Sequence, residues 1–220
     1  APAAGETVRC QSLTIAEQAP TIPNFGDMAD GMEPREAVAR ISDGERVFLH
    51  GSAATPHALI EALLARAGSV CGIELVSIST LGDIAFDRPG VRESFFVNSL
   101  FVSANVREVV NGPGGEYVPV FLSEVPLLFE RGILPIDTAL VHVSPPDRHG
   151  FCTLGVSVDV ARSAVRCAKR VIAQVNPRMP RTHGEGQVHI SHFDAMVEVD
   201  APLPEVDYGA IGSFNWDDNG

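Results

Sequence analysis

Residues 141–159, VHVSPPDRHGFCTLGVSVD, gather two histidines, a cysteine, two prolines and two aspartates around a glycine turn at the end of an apolar run. His149 and Cys152 stand three apart, and a thiolate beside an imidazole is a common way of making a nucleophile. Gly150 lies between them in a turn where the two side chains need not meet. Cys152 leads into Thr153 and Leu154 in what reads as a short hairpin, not the helix start that would lower a thiol pKa. The residue chemistry favours a rigid loop that shapes a pocket wall, a loop that contains Ser144, Pro145, Pro146, His149 and Gly150, over a cysteine-based hydrolase.

Two further segments carry residue types suited to binding. In HGSAATPHAL, residues 50–59, a strand ends at His50, the small residues Gly51, Ser52, Ala53 and Ala54 follow, and Pro56 stands where a helix begins. Small side chains at a strand's carboxyl end let a ligand approach the backbone, and amides at the next helix start favour negative charge. The stretch matches neither the Walker nor the dinucleotide glycine pattern. Spacing alone leaves a ligand loop and a plain strand-to-helix turn both open. In VNPRMPRTHGEG, residues 175–186, prolines fix the chain and Arg178 and Arg181 bring positive charge beside Asn176, Met179, His183 and Gly184. That segment reads either as an exposed connection or as a rim for an anionic ligand.

The histidines do not add up to a metal site in this reading. His50 and His57 are seven apart and would need a third ligand. His183, His189 and His192 are closer together, but on a strand His189 and Ser191 would face one side and His192 the other.

The elements that must position these segments alternate. EPREAVARISDG and HALIEALLARAG read as helices closed near Gly44 and Gly68, with RVFLH as a strand between them. GIELVSIST, SFFVNSLFV and EYVPVFL read as strands, ANVREVVNG as a helix, and SEVPLLFERG as a helix capped by Ser123 with Pro126 in its first turn. DTALVHVS and RVIAQVN are buried strands around the helix VDVARSAVRCAK, and QVHISHFDAMVEVD alternates like an edge element. Strands alternating with helices predict an α/β fold: a mainly parallel sheet with helices on both faces. The predicted layout is an irregular arm over 1–33 lying on the domain, the domain itself over 34–200, and a linker and atypical tail over 201–220.

Composition bounds the partners. A chain of 220 residues with 45% apolar content can bury a sizeable core. Its net charge of −12 repels polyanions, so neither nucleic acid nor membrane is an expected partner. Arg162, Arg166, Lys169 and Arg170 form the nearest basic run and read as a solvated helix face and its end. Four scattered cysteines without a CxxC pair point to a reducing, cytoplasmic or organelle-matrix compartment, and no apolar run reaches the ~20 residues of a membrane span.

Three stretches, VFLHGSAATPHAL, YVPVFLSEVPLLFERGILPIDTALVHVSPPDRHGFCTLGVSVD and AKRVIAQVNPRMPRTHGEGQVHISHFDAMVEVDAPLPE, resemble the acetyl-CoA hydrolase/transferase family, which includes 4-hydroxybutyrate and acetate CoA-transferases. The resemblance implies a CoA-transferase α/β domain that forms the amino-terminal half of a subunit, with the active site between two similar halves. It implies acyl-CoA and a short carboxylate as substrates and no permanently bound cofactor. A glutamate would attack the thioester, giving an acyl-glutamyl anhydride and then a glutamyl-CoA thioester. None of Glu61, Glu124, Glu185 or Glu198 has that glutamate's surroundings, so no catalytic residue is assigned within the chain. The resemblance makes Gly51–Pro56, Ser144–Gly150 and Asn176–Gly184 the wall of the acyl or pantetheine channel. It also implies a carboxyl-terminal domain as partner and no activity for this chain alone; an apolar face exposed where that domain would dock would promote self-association, so a homo-oligomer is expected. The alternatives are an acetyl-CoA hydrolase and a non-catalytic domain that binds a CoA-like ligand or a partner protein.

Overall fold

A computed structural model of the chain describes residues 32–205. The arm read at 1–33 and the tail read at 201–220 fall mostly outside them. Among the described residues the strands are β1 Arg46–Leu49, β2 Ile73–Ser77, β3 Phe95–Ser99, β4 Gly115–Tyr117, β5 Thr138–Val143, β6 Phe151–Thr153, β7 Arg170–Val175, β8 Gln187–His189 and β9 Ala195–Glu198. Seven form one parallel sheet in the order β4-β3-β2-β1-β5-β7-β9, while β6 and β8 form a separate antiparallel pair. The helices are α1 Pro34–Val38, α2 His57–Leu64, α3 Val91–Ser94, α4 Arg107–Val110, α5 Val125–Glu130 and α6 Ala161–Cys167.

Alternation along each strand divides the core between the two faces of the sheet. Val47, Leu49, Leu140 and Ile172 meet Val38 of α1, Leu59 and Leu63 of α2, Val91 of α3 and Val109 of α4. Phe48, Val141, Val143 and Ala173 meet Val125 and Phe129 of α5 and Ala161, Ala164 and Val165 of α6. A strand covered on both faces has no solvent side to populate with polar residues, which is why β5 is buried at all six positions. The predicted sheet with helices on both faces is the observed one.

Several local readings change. Helix α1 stops at Val38, well short of Gly44. Ser123 lies inside a 3₁₀ turn, Leu122–Glu124, and makes no cap; α5 begins after it, with Pro126 in its first turn as expected. Of EYVPVFL only the start is strand: Val118 still donates to the Ser99 carbonyl, but Pro119 has no amide with which to continue the ladder. Cys152 lies in a local fold-back as expected, with the Ser144 amide donating to the Thr153 carbonyl and the Asp147 amide to the Phe151 carbonyl, both at 2.9 Å, and β6 also pairs with the distant β8, which sets Cys152 opposite Val188. The strand periodicity assumed for His189–His192 breaks at a 3₁₀ turn, where the His189 ring accepts from the Ser191 amide at 3.2 Å. The basic run is dispersed, since Lys169 pairs with Asp137 at 2.7 Å and Arg170 with Glu45 at 3.1 Å. β9 is the edge strand expected from its pattern.

The second face is closed by Phe129, whose ring meets Phe48 edge-on at 5.8 Å between centroids. Phe129→Ala is expected to cost about 3–5 kcal/mol, read as a lowered urea midpoint. A cost below about 1 kcal/mol would mean that α5 is not held to the sheet through this ring.

Candidate active site

From β1 the strand order runs outward through β2 and β3 to β4, and β5 then returns to the other side of β1 and continues to β7 and β9. The order therefore reverses between β1 and β5, where an open α/β sheet leaves a crevice at its carboxyl edge. All three segments singled out in the sequence leave adjacent strands there: 51–56 follows β1, 144–150 follows β5 and 176–184 follows β7.

The first loop is fixed against the end of β2. A Cβ on Gly51 would lie 2.7 Å from the Ser79 carbonyl oxygen, so the close approach requires glycine. Ser52 has φ +54°, in the left-handed region, and its amide donates to that same carbonyl at 2.6 Å. Thr55 Oγ1 donates to the Ser52 carbonyl and accepts from the Leu81 amide, at 2.7 and 3.1 Å. Ser52 and Ala53 are half-buried and Pro56 is buried. The amides expected at the start of α2 are partly engaged, because Ala58 donates to Gln174 Oε1 at 3.2 Å.

In the second loop Ser144 is buried and its hydroxyl accepts from the Thr153 amide at 3.0 Å. Asp147 Oδ1 accepts from the His149 and Phe151 amides at 2.8 and 2.9 Å. The Phe151 amide is the chief reason this carboxyl stays below its ordinary range, with burial opposing. Pro145 and Pro146 are half-buried, His149 is exposed at the turn tip, and Gly150 is buried beside His189. Cys152 points into the core, and burial pushes its thiol up to about 12. With His149 outside and Cys152 inside, the geometry supplies no activated thiolate.

The third segment is engaged internally. Asn176 donates to the Ala201 carbonyl at 2.8 Å and accepts from the Arg178 amide at 2.9 Å. Met179 is buried over Gly155, away from the surface on which it was expected to meet a ligand. Arg178 pairs with Asp200 and Arg181 with Asp147, so both arginines of the expected anionic rim already hold carboxylates. His183 and Gly184 are exposed on the connection into β8.

The sequence reading passed over His142 and Gln174. They are register partners on β5 and β7 and share the α2 face, between strand positions otherwise apolar. The signal was present as His-Val-Ser and Gln-Val-Asn, each a polar residue two before the strand's polar exit. They line a cleft of about 180 Å³ with Thr55, His57, Glu61 and Pro202. His142 Nε2 lies 3.5 Å from Gln174 Nε2. His142 is lowered to about 4 by burial first and by the nearby His50 second. His50 is itself lowered by burial; its Nδ1 accepts from the His142 amide at 3.2 Å while Nε2 donates to the Ser157 carbonyl. Among the described residues no three His, Cys, Asp or Glu side chains gather as metal ligands, and no helix is long and apolar enough to cross a membrane.

Residues 30–208 match the acetyl-CoA hydrolase/transferase N-terminal domain. The chain belongs to that family. It is 37% identical over 201 residues to a succinyl-CoA:acetate/propanoyl-CoA:succinate CoA transferase of Fasciola hepatica, a match covering 90% of the chain and 42% of the relative. It is 38% identical over 177 residues to the 4-hydroxybutyrate coenzyme A transferase of Clostridium kluyveri, covering 80% and 41%. RipA from Yersinia pestis superposes with a TM-score of 0.72 at 34% identity, covering 80% of this chain and 43% of that one. A 4-hydroxybutyrate CoA-transferase from Porphyromonas gingivalis does so with a TM-score of 0.67 at 30% identity, covering 80% and 40%. The chain thus spans well under half the length of the relatives it matches.

Two outcomes follow for this family member. An unfolded imidazole takes its proton near pH 6.5 and His142 in the fold only near pH 4, so the unfolded state binds more protons across that window. Stability is expected to fall as pH is lowered through it, by on the order of 3 kcal/mol from this residue. Urea midpoints at pH 7 and pH 4 should differ less in His142→Gln; an unchanged difference would contradict the assignment. Cys152 should resist alkylation by iodoacetamide at pH 8 while the exposed Cys71 reacts, and modification of both at similar rates would contradict a buried, inert thiol.

Proposed function

We propose that the chain is the amino-terminal half of a CoA-transferase that moves CoA between an acyl-CoA and a short carboxylate. The observation that carries this reading is the convergence of Gly51–Pro56, Ser144–Pro146 and Asn176 on the carboxyl ends of three adjacent parallel strands, in a family member spanning about two-fifths of transferase relatives. These residues form one wall of the acyl-CoA channel, and the second half supplies the other.

The nucleophile is a glutamate outside this chain. Its carboxylate attacks the thioester carbonyl and releases CoA as thiolate, leaving a mixed anhydride. The thiolate returns to the glutamyl carbonyl and expels the first carboxylate. The acceptor carboxylate then attacks the glutamyl-CoA thioester, and the released thiolate attacks the new acyl group to regenerate the glutamate. Overall one CoA thioester is exchanged for another of similar energy, so the balance calls for no metal or redox group. The glutamates Glu45 and Glu74 are engaged by Arg170 and Arg46, which suits them to structure. The exposed Phe101, Phe121 and Leu122 support a further surface covered in a homo-oligomer.

The test is CoA transfer from acetyl-CoA to a panel of short carboxylates, with this chain alone and with the remaining half supplied. Turnover is expected only in the mixture. Transfer by the chain alone would contradict an external nucleophile, and release of CoA that no acceptor stimulates would indicate a hydrolase.

A further inference from the structure

The basic run that starts on α6 is only partly engaged within the fold. Lys169 and Arg170 hold Asp137 and Glu45, whereas Arg166 joins none of the ion pairs among the described residues. We propose that Arg162 and Arg166, facing β8 across a groove, bind a phosphate-bearing ligand.

The groove has a volume of about 240 Å³ and is lined by Arg162, Val165, Arg166, Gln187, Val188 and His192. None of the six belongs to the three crevice loops. Val165 and Val188 are buried and make an apolar floor, while Arg162 is half-buried and Arg166, Gln187 and His192 are exposed. Arg162 and Arg166 stand four apart on α6, which sets their Cβ atoms about 5–6 Å apart on one helix face. Both guanidinium groups can therefore reach one anion.

Like charges at that spacing weaken a helix, and no carboxylate lines the groove to relieve them. Among the described residues the one ion pair that reaches it joins Arg162 Nε to Glu185 at 3.5 Å, and the Glu185 side chain is 85% exposed. An exposed pair of that length contributes little and leaves the arginine open to a better partner. Three other clefts of the chain are each lined by at least one glutamate, in keeping with the net charge of −12. A groove with only cationic and neutral walls runs against that trend. A dianion seated there turns the repulsion between the two arginines into attraction.

The donor set is larger than a carboxylate uses. Each guanidinium offers paired N–H groups, and a phosphate presents three oxygens and close to two negative charges. The Gln187 carboxamide and the His192 ring add donors for the remaining oxygen. The acidic surface outside the groove repels a nucleic-acid backbone, so the ligand is a small molecule. Two sources carry this chemistry: the nucleotide end of CoA, and a separate phosphorylated metabolite.

The experiment titrates pyrophosphate into the full-length protein that carries this chain, by calorimetry at fixed ionic strength. Arg162→Gln and Arg166→Gln should each weaken binding by about tenfold. Arg131→Gln, the same charge change at an exposed position at the end of α5, should leave it within about twofold. Acetate at equal ionic strength should not displace the probe. Absence of binding, affinity unchanged in the two groove variants, an equal loss in Arg131→Gln, or displacement by acetate would overturn the proposal.

Turnover with acetyl-CoA and with acetyl-pantetheine, which lacks the phosphates, separates the sources. A loss of kcat/KM in Arg166→Gln confined to acetyl-CoA assigns the groove to CoA, and no loss with either donor assigns it to a separate phosphorylated compound. An equal loss with both donors would mean that the arginines support the fold and not a phosphate, which would overturn the proposal. Absence of turnover with either donor would count against the CoA-transferase reading alone, because the titration does not depend on it.

Discussion

The neutral ring of His50 joins three segments at the carboxyl edge of the sheet: the exit of β1, the backbone of β5 at His142, and the loop at Ser157 that leads to α6. One nitrogen must accept and the other must donate, so only one neutral tautomer serves. A protonated ring would set its N–H against the His142 amide. Burial keeps the ring neutral, and the ring's two bonds keep the backbone of β1 and β5 in a relation from which the Gly51 loop and the Ser144 loop can share one crevice. The same burial and the neighbouring His50 hold His142 neutral on the opposite face of the sheet. Two histidines that look titratable in the sequence act here as fixed dipoles.

Outside this pair, the loops are held by ion pairs and hydrogen bonds among themselves. Arg181 reaches across from the third segment to Asp147 and to the Pro145 and Phe151 carbonyls, clamping the second loop to the third. Asn176 ties the end of β7 to Ala201, and Arg178 pairs with Asp200, so the chain beyond β9 is drawn over the strand ends. The result is a preorganised wall in which Arg178 and Arg181 already hold carboxylates, while Arg148 bonds the neighbouring His149 ring.

The layered architecture was legible because β1, β5 and β7 are short apolar runs separated by helical spacings, a pattern that burial on both faces imposes. Helix ends were unevenly legible: α4 stops at Val110, just before Asn111-Gly112-Pro113 as its sequence indicates, whereas α1 stops at Val38 although no glycine or proline follows until Gly44. The three loops could be found from glycine and proline, yet their use could not. Arg178 and Arg181 look alike in sequence to residues awaiting an anion, and only the fold brings Asp200 and Asp147 to them. His142 and Gln174 stayed hidden for the opposite reason. Each interrupts an apolar strand once, and the pairing that brings them together exists only when β5 and β7 align in parallel register.

The central claim is that this chain forms one wall of a channel whose nucleophile lies elsewhere. The most direct measurement is to react the full-length protein with acyl-CoA, trap the covalent intermediate and locate it by peptide mass spectrometry. The account predicts a glutamyl-CoA thioester, or its trapped derivative, on a glutamate outside residues 1–220. An adduct on Glu61, on Cys152 or on any other side chain of this chain would contradict it.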